Sequence, residues 1–420
     1  MNNKTKIIAG IELGSSKTVT IVAQISTDES YNETVNIIGV SVSNSKGVKK
    51  GQIVNIEESV ESAISSIEGA ERMAGHNIDS AFVSLGGAHI TSQNSHGVVA
   101  VSGSSGEIVS SDVDRVIEAA SAISLPTSRE IVHVLPREFI VDGETGVKDP
   151  IGMSGVRLEV ETHVVTASNA AVKNLSKSLG EAGVKIDDMV FAGLASSYSV
   201  LTETEKELGC VLIDIGAGTT SVVAYVDGSL AYSGVIPVGA KNVTNDIAIG
   251  LRVSLDTAEK IKLSLSNPKA SKEQKDELDL SSLGISEVSK VSKKTLIEGI
   301  IRPRLNEIFT MVRLELEKER IINRIPSGAV VTGGGAKTIA IVESAKRMLS
   351  VPVRIGIPFG VSGLIDDVID PIFSVPIGLL LYGVKQEVVE TGGLRFPMKL
   401  NFAGTGFLRK IIESIKDLLP

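Results

Sequence analysis

The sequence predicts an α/β chain whose core domain occurs twice, and three observations carry that prediction. Ile11-Glu12-Leu13-Gly14-Ser15-Ser16-Lys17-Thr18 runs on into the apolar stretch Val19 to Ala23. The same arrangement returns at Ile213-Asp214-Ile215-Gly216-Ala217-Gly218-Thr219-Thr220, running on into Ser221 to Ala224. A third glycine cluster, Thr332-Gly333-Gly334-Gly335-Ala336, closes a short apolar run and opens a helical pattern.

The first two segments each read as a strand, a tight turn and a second strand. Glycine stands where the backbone must bend or approach a ligand closely. Exposed N–H groups of such a turn form an anion-binding concavity. The acid before it cannot bind phosphate itself, but it can hold the waters of a magnesium ion that bridges phosphates. One such hairpin is weak evidence, because Gly-Ser turns are common. Two, with the acid at the same place in both, point to a duplicated pair of domains gripping a nucleotide from both sides.

The third cluster places a strand, Gly328-Ala329-Val330-Val331, before the glycines. A helical pattern of Ile339, Val342, Ala345, Met348 and Leu349 follows them. Strand, glycine turn and helix N-terminus let backbone approach a ligand. No G-x-G-x-x-G is present, so a Rossmann fingerprint is a poor fit. The turn is expected on the nucleoside side of the same cleft. A fourth piece is Asp256-Thr257-Ala258-Glu259-Lys260-Ile261-Lys262. Asp256 is expected to cap a helix on which Glu259 and Lys262 share a face. From spacing alone these two read as a solvated ion pair.

Composition bounds the rest. At 420 residues and 42% hydrophobic content the chain can build two or more cored domains. No apolar run reaches membrane-spanning length. Met1 to Lys6 is short and polar and reads as no signal peptide. The single cysteine, Cys210, reads as a small core residue, and one cysteine allows no internal disulfide, which suits a reducing cytoplasm. The net charge of −8 and the absence of tryptophan argue against a nucleic-acid partner. His76, His89, His96, His133 and His163 lack metal-ligand spacing.

Two acid-glycine hairpins followed by a late strand-glycine-helix unit resemble the actin-like ATPase superfamily. Within it the chain resembles the FtsA family of bacterial cell-division actin homologues. The residues that carry this are Gly51-Gln52-Ile53-Val54-Asn55-Ile56-Glu57, Pro150 to Gly155, the long block Phe191 to Leu201, and Val243-Thr244-Asn245-Asp246-Ile247-Ala248. The resemblance runs from Ile7 to the end of the chain.

It implies an actin-like ATPase fold: two ribonuclease-H-like domains around the cleft, with an α+β insertion called subdomain 1C. Subdomain 1A would take residues 1–84, 162–197 and 359–386, and 1C residues 85–161. Subdomain 2A would take 198–247 and 321–358, and 2B 248–320. A linker at 387–405 and an amphipathic helix at 406–420 would follow. Within 1C the pattern agrees: Ile90, Val98, Val99 and Val101 read as strand, Ser111 to Asp114 opens a helix, and 131–141 and 156–165 alternate as strands.

The resemblance also implies ATP and Mg2+ as cofactors. The family's phosphate contacts carry onto Gly14, Ser15, Ser16 and Lys17 and onto Gly216, Ala217, Gly218 and Thr219. Its ribose and adenine pair carries onto Glu259 and Lys262, reversing the spacing-only reading. Its adenosine motif carries onto Gly334, Gly335 and Ala336, and its magnesium-facing acids onto Glu12 and Asp214. Two departures stand out. Glu12 replaces the aspartate of many relatives, adding a methylene. The Ala192-Gly193-Leu194-Ala195 stretch has no acid or amide where chaperone ATPases and actin orient the attacking water. Binding of ATP is therefore better supported than turnover.

The last segment divides cleanly as a helix. Phe407, Leu408, Ile411, Ile412, Ile415, Leu418 and Leu419 fall within an arc of about 140° at 100° per residue. Arg409, Lys410, Glu413, Ser414, Lys416 and Asp417 take the opposite arc. Half-burying seven such apolar side chains is worth roughly 5–10 kcal/mol before ordering costs. The near-balanced polar face makes apolar insertion, more than lipid charge, the expected source of membrane binding.

The resemblance implies a scaffold at the division site, on the cytoplasmic face of the cell membrane. It would self-associate into filaments, bind the C-terminal tail of the tubulin homologue FtsZ through 2B, and contact downstream division proteins through 1C. Lys293, Lys294, Arg302 and Arg304 lie in the 2B region and suit an acidic peptide, or else form a solvated helix face. A small-molecule kinase of the same superfamily would need a sugar-facing acid that the sequence does not show. A pilus-assembly or reactivase-type actin homologue is the third reading, and it explains the amphipathic tail less well.

Overall fold

The computed structural model describes residues 6–27, 33–103, 106–266, 276–281, 290–364 and 368–391. The expected helix at 406–420 and most of the expected linker lie outside these.

In chain order, strands β1 (Lys6–Leu13), β2 (Lys17–Thr27) and β3 (Glu33–Asn44) lead to the small hairpin β4 (Val48–Lys49) and β5 (Gln52–Ile53). Helix α1 (Ile56–Ala74) and β6 (Ser80–Leu85) follow. Then come β7 (Thr91–Ala100), α2 (Ser110–Ser121), β8 (Arg129–Val141), β9 (Glu144–Val147) and β10 (Arg157–Ser168). The first half resumes with α3 (Asn169–Glu181), β11 (Lys185–Phe191), α4 (Ala192–Val200) and α5 (Glu203–Leu208). The second half opens with β12 (Cys210–Ile215), β13 (Thr220–Val226), β14 (Ser229–Ile236), α6 (Ala240–Leu251) and α7 (Leu255–Ser266). The pair β15 (Glu277–Asp279) and β16 (Lys290–Ser292), α8 (Arg302–Lys318), β17 (Ala329–Thr332), α9 (Ile341–Leu349), β18 (Val353–Ile355), β19 (Ser362–Gly363) and α10 (Ser374–Thr391) complete it.

The duplication read from the two hairpins extends to whole sheets. One sheet has the order β11-β6-β1-β2-β3-β19 and the other β14-β13-β12-β17-β18. In each, a three-strand antiparallel meander continues into parallel strands from its first member: β1 beside β6, β12 beside β17. The central strand β12 is buried at every position, as a strand covered on both faces must be. Cys210 at its start is buried, and burial pushes its thiol up to about 12.

Helix α4 joins the halves. Its residues Gly193 to Ser197, Ser199 and Val200 are buried, so it is a core helix without an outward polar face. Small residues let α10 lie against it. A Cβ built on Gly378 would sit 1.8 Å from the Ala195 carbonyl oxygen. The hydroxyls inside are all used: Ser197 shares a hydrogen bond with the Tyr225 hydroxyl at 2.7 Å, and Ser199 donates to the Ser374 carbonyl at 2.6 Å.

The segment between β6 and α3 forms its own sheet, β7-β10-β8-β9. Helix α2 lies on it over Ile108, Val113, Val116, Phe139, Leu158 and Val160. The helix expected to open at Ser111 begins at Ser110, and Asp112 caps it. This aspartate accepts from the Val109 N–H and from the Ser102 N–H and hydroxyl, and these bonds with Arg115 hold its carboxyl down to about 2 against the cost of burial. Strand β10 passes through the expected boundary at 161, because its pairing with β7 continues to Thr166.

A polar seam fixes this small sheet to β14. Ser92 donates to the Ser233 carbonyl at 2.7 Å and accepts from the Ser233 N–H at 3.2 Å. His163 meets Asn94 through Nδ1 at 2.7 Å and Ser233 through Nε2 at 3.0 Å. Burial, aided by Arg137 and His133, pushes the His163 imidazole down to about 3, so it is neutral. Nδ1–H then donates to Asn94 and Nε2 accepts from Ser233.

Two expectations need correction. Helix α10 runs on to Thr391, past the linker start at 387, because Glu387 to Thr391 contains no breaker before Gly392-Gly393. Asp256 does not cap α7. Ser254 does, its hydroxyl accepting from the Thr257 N–H at 3.1 Å, while Asp256 lies in the first turn.

The Gly378 contact predicts a stability difference between two glycine-to-alanine changes. Gly378→Ala forces a methyl group into the Ala195 carbonyl and should destabilise the chain by about 1–3 kcal/mol or more. Gly180→Ala, on α3 with open space around its Cβ, should be neutral or stabilising by about 0.5–1 kcal/mol. Urea unfolding of the two variants checks this.

Candidate functional site

The two predicted turns have the same geometry. Glu12 and Asp214 each stand one residue before the end of their strands, β1 and β12. The Gly14 N–H donates to the Lys17 carbonyl at 2.9 Å, and the Gly216 N–H to the Thr219 carbonyl at 2.9 Å. Each bond closes a turn that leaves the residues between at its tip: Ser15 and Ser16 in one, Ala217 and Gly218 in the other.

The tips face each other. A Cβ on Gly218 would lie 2.9 Å from the Ser15 hydroxyl oxygen and 3.1 Å from the Lys50 Cα. The Ser15 hydroxyl accepts from the Gly51 N–H at 2.9 Å. That bond ties the β4–β5 turn to the first loop. Behind the second loop stands the start of α6, whose Ala240 and Lys241 N–H groups donate to the Gly216 and Ala217 carbonyls, both at 2.9 Å. The loop is thereby braced by a helix N-terminus.

The third turn lies against the end of β12. A Cβ on Gly333 would be 2.2 Å from Asp214 Oδ1, and one on Gly335 would be 2.4 Å from Ile215 Cγ2. Only glycine permits this approach. The strand is followed first by a short 3₁₀ turn, Gly334–Lys337, and α9 begins at Ile341, later than the expected pattern from Ile339. The Ile339 N–H donates to the Ser266 hydroxyl of α7 at 3.1 Å, so α7 neighbours this turn. On α7, Lys262 donates to Glu259 at 2.7 Å and to Thr244 of α6 at 2.9 Å, and Thr244 donates to Glu259 at 2.5 Å. Lys262 is buried within this triangle.

The two acids share one electrostatic environment. Burial raises the Glu12 carboxyl to about 7, with Lys17 opposing and Asp214 adding to the rise. Burial also raises Asp214, against a 2.5 Å hydrogen bond from the Ser196 hydroxyl and the Lys17 charge. Lys17 Nζ lies 4.0 Å from Glu12, donates to the Ile372 carbonyl, and sits 5.2 Å from the centre of the Phe373 ring. Glu12 Oε2 is a buried oxygen without a hydrogen-bond partner.

These features fit a magnesium nucleotide. The orphaned Glu12 oxygen and the raised carboxyls beside a lysine suit a cation that would restore both acids to their charged forms. Among the described residues no group of three or more acids, histidines or cysteines could hold a metal. Two carboxylates match magnesium, which keeps waters and takes phosphate oxygens. Three contacts escaped the sequence: Ser196, Lys241 and Thr244. A serine inside an apolar helix or a lysine in the first turn of a helix carries no local signal.

Comparison with known proteins is consistent across the chain. A family model described as the SHS2 domain inserted in FTSA matches residues 87–166, and one described as cell division protein FtsA matches residues 211–378. The cell division protein FtsA of Pseudomonas aeruginosa is 40% identical over 383 residues, covering 91% of this chain and 90% of that protein. That of Borreliella burgdorferi is 42% identical over 383 residues, covering 91% and 92%. Among solved structures, one titled a PilM-PilN type IV pilus biogenesis complex matches with a TM-score of 0.64 at 18% identity, covering 90% of this chain and 98% of the other. MreB5 of Spiroplasma citri bound to ADP matches with a TM-score of 0.53 at 14% identity, covering 92% and 99%. Both share the actin-like ATPase fold.

The raised carboxyls set a pH dependence. Unfolded, Glu12 releases its proton in the ordinary carboxylate range, whereas folded it holds it to about 7. Between those values the folded chain binds more protons, so this contribution to stability is present at low pH and is lost as pH rises. Asp214, also raised, acts with the same sign. Urea midpoints without magnesium should therefore fall less steeply between about pH 5 and 7 in Glu12→Gln than in the parent.

Proposed function

The chain belongs to the FtsA family of cell-division proteins, and on that premise we propose that it binds magnesium ATP between its two halves, polymerises, and tethers FtsZ filaments to the cytoplasmic face of the cell membrane at the division site. The observation that carries the nucleotide reading is the matched pair of turns, each closed by the same 2.9 Å bond after an acid. Gly14, Ser15, Ser16 and Lys17 would hold phosphate from one side, and Gly216, Ala217, Gly218 and Thr219 from the other. Glu12 and Asp214 would hold magnesium through water, and Ser196 keeps Asp214 in position. Gly334, Gly335 and Ala336, with Glu259 and Lys262, would receive the nucleoside. Bound magnesium supplies charge neutralisation between the phosphates and these carboxylates. The ADP of the Spiroplasma citri MreB5 structure supports a nucleotide in a cleft of this fold.

Turnover is proposed to be slow. Gly193 is buried on α4, and a Cβ there would meet the Phe191 ring at 2.8 Å and Val223 at 3.0 Å. Packing thus opposes any side chain at the place where relatives orient water. In 2B, Arg304 is held by Asp246 and Glu307, and Arg302 by Glu298. An acidic FtsZ tail would have to compete for these arginines or use Lys293 and Lys294. The insertion, 1C, would contact downstream division proteins and neighbouring subunits.

The membrane reading rests on the sequence of 406–420. Among the described residues no helix is long and apolar enough to cross a membrane. A surface helix presenting Phe407, Leu408, Ile411, Ile412, Ile415, Leu418 and Leu419 to lipid would instead hold the protein at the interface. Polymerisation would multiply many weak tails into stable attachment.

Two experiments check this function. Asp214→Ala should weaken Mg-ATP binding by tenfold or more, on the order of one lost charged contact, and change magnesium-free ADP binding far less. Equal ATP titrations for variant and parent would reject the cleft. Ile411→Glu with Ile415→Glu should abolish sedimentation with liposomes and leave ATP binding intact. A double variant that still pellets with neutral liposomes would reject the membrane helix.

A further inference from the structure

Lys241 is a residue that the family motifs do not bring into the cleft. It is the second residue of α6, and its backbone and side chain point to different halves of the molecule. Its N–H is bonded to the Ala217 carbonyl of the second loop. Its exposed ammonium crosses to the first loop and donates to the Ser15 carbonyl at 3.1 Å. It therefore spans the two phosphate loops.

Its place along the cleft can be read from the turns. The glycine turn after β17 abuts Asp214 and Ile215, before the second loop begins. The tip of that loop, Gly218, abuts Ser15 and Lys50 instead. A nucleotide with its nucleoside at the glycine turn and its phosphates between the loops would run toward Ser15. The last phosphate would then lie nearest the ammonium of Lys241. A neutral carbonyl is a weaker partner for an ammonium than a phosphate oxygen.

The geometry points to Lys241 as a further binding residue, one that recognises the terminal phosphate and makes the cleft favour a nucleoside triphosphate over a diphosphate. This rests on the nucleotide reading of the cleft. The ammonium exchanges the Ser15 carbonyl for a terminal phosphate oxygen. Because the Lys241 N–H is fixed to the second loop, that exchange holds the halves together across the phosphate. A diphosphate leaves Lys241 on Ser15, so it gains little from the residue. Lys17 does not duplicate this role, being placed beside Glu12 and the Ile372 carbonyl.

The test is titration of the full chain with Mg-ATP and Mg-ADP in the parent, Lys241→Ala and Lys241→Arg. Lys241 is exposed, and retained ADP binding reports that each variant is folded. Lys241→Ala should weaken ATP about tenfold, the scale of a charge-assisted contact, and ADP no more than about twofold. Lys241→Arg should restore most of the preference, since it keeps the charge. An unchanged ATP-to-ADP ratio in Lys241→Ala, whether both affinities fall or neither does, would overturn the assignment while leaving the cleft intact. A parent that binds neither nucleotide would overturn the cleft reading and this one with it.

Discussion

The hydrogen bond from Ser196 to Asp214 ties the site to the core. Ser196 sits on a helix with no solvent face, and Asp214 stands one residue before the end of the central strand of the other half. A buried carboxylate is costly unless hydrogen-bonded or paired, and here one bond supplies both a partner and an orientation. Helix α4 can provide it only because its neighbours come close. Glycine at 378 admits α10, and glycine at 193 admits the Phe191 ring. Gly193 and Gly378 are thus the condition for α4 to hold Asp214 beside the two turns at a fixed angle.

The two halves are copies in topology and unequal in chemistry. In the first, the acid is a glutamate beside Lys17, with one oxygen unpartnered. In the second, the acid is an aspartate held by a serine, and its loop is braced by the start of α6. One side is held by hydrogen bonds and the other by charge.

The parts of this structure that were legible in the sequence are those with a local cause. Glycine at fixed offsets after an apolar run announces a turn, so both strand-turn-strand units and the strand and turn of the third cluster form where the pattern put them. Asp256 misled because an aspartate near a helix start resembles a cap, whereas Ser254 holds the bond. The end of α10 was missed because the β-branched Val388, Val389 and Thr391 weaken helical propensity without breaking the helix. Ser196, Thr244 and Lys241 draw their roles from partners 18, 15 and 226 residues away. Each pair spans more than one element, so no single periodic pattern links its members, and only the fold assembles them. The amphipathic pattern at 407–419 lies outside the described residues and rests on periodicity alone.

The seam between the inserted sheet and β14 has a thermodynamic character unlike the interior. Ser92, Asn94, His163 and Ser233 satisfy one another there, and each can be satisfied again by water if the joint parts. Separating a core exposes apolar surface, with a large rise in heat capacity and a steep response to denaturant. The four seam residues bring amide, hydroxyl and imidazole groups, whose exposure changes heat capacity little or in the opposite sense. The joint is not polar throughout, however: Val165 and Ala167 of β10 lie in one buried apolar cluster with Tyr225 of β13 and Leu230 of β14, so the inserted sheet is anchored by packing as well as by this seam.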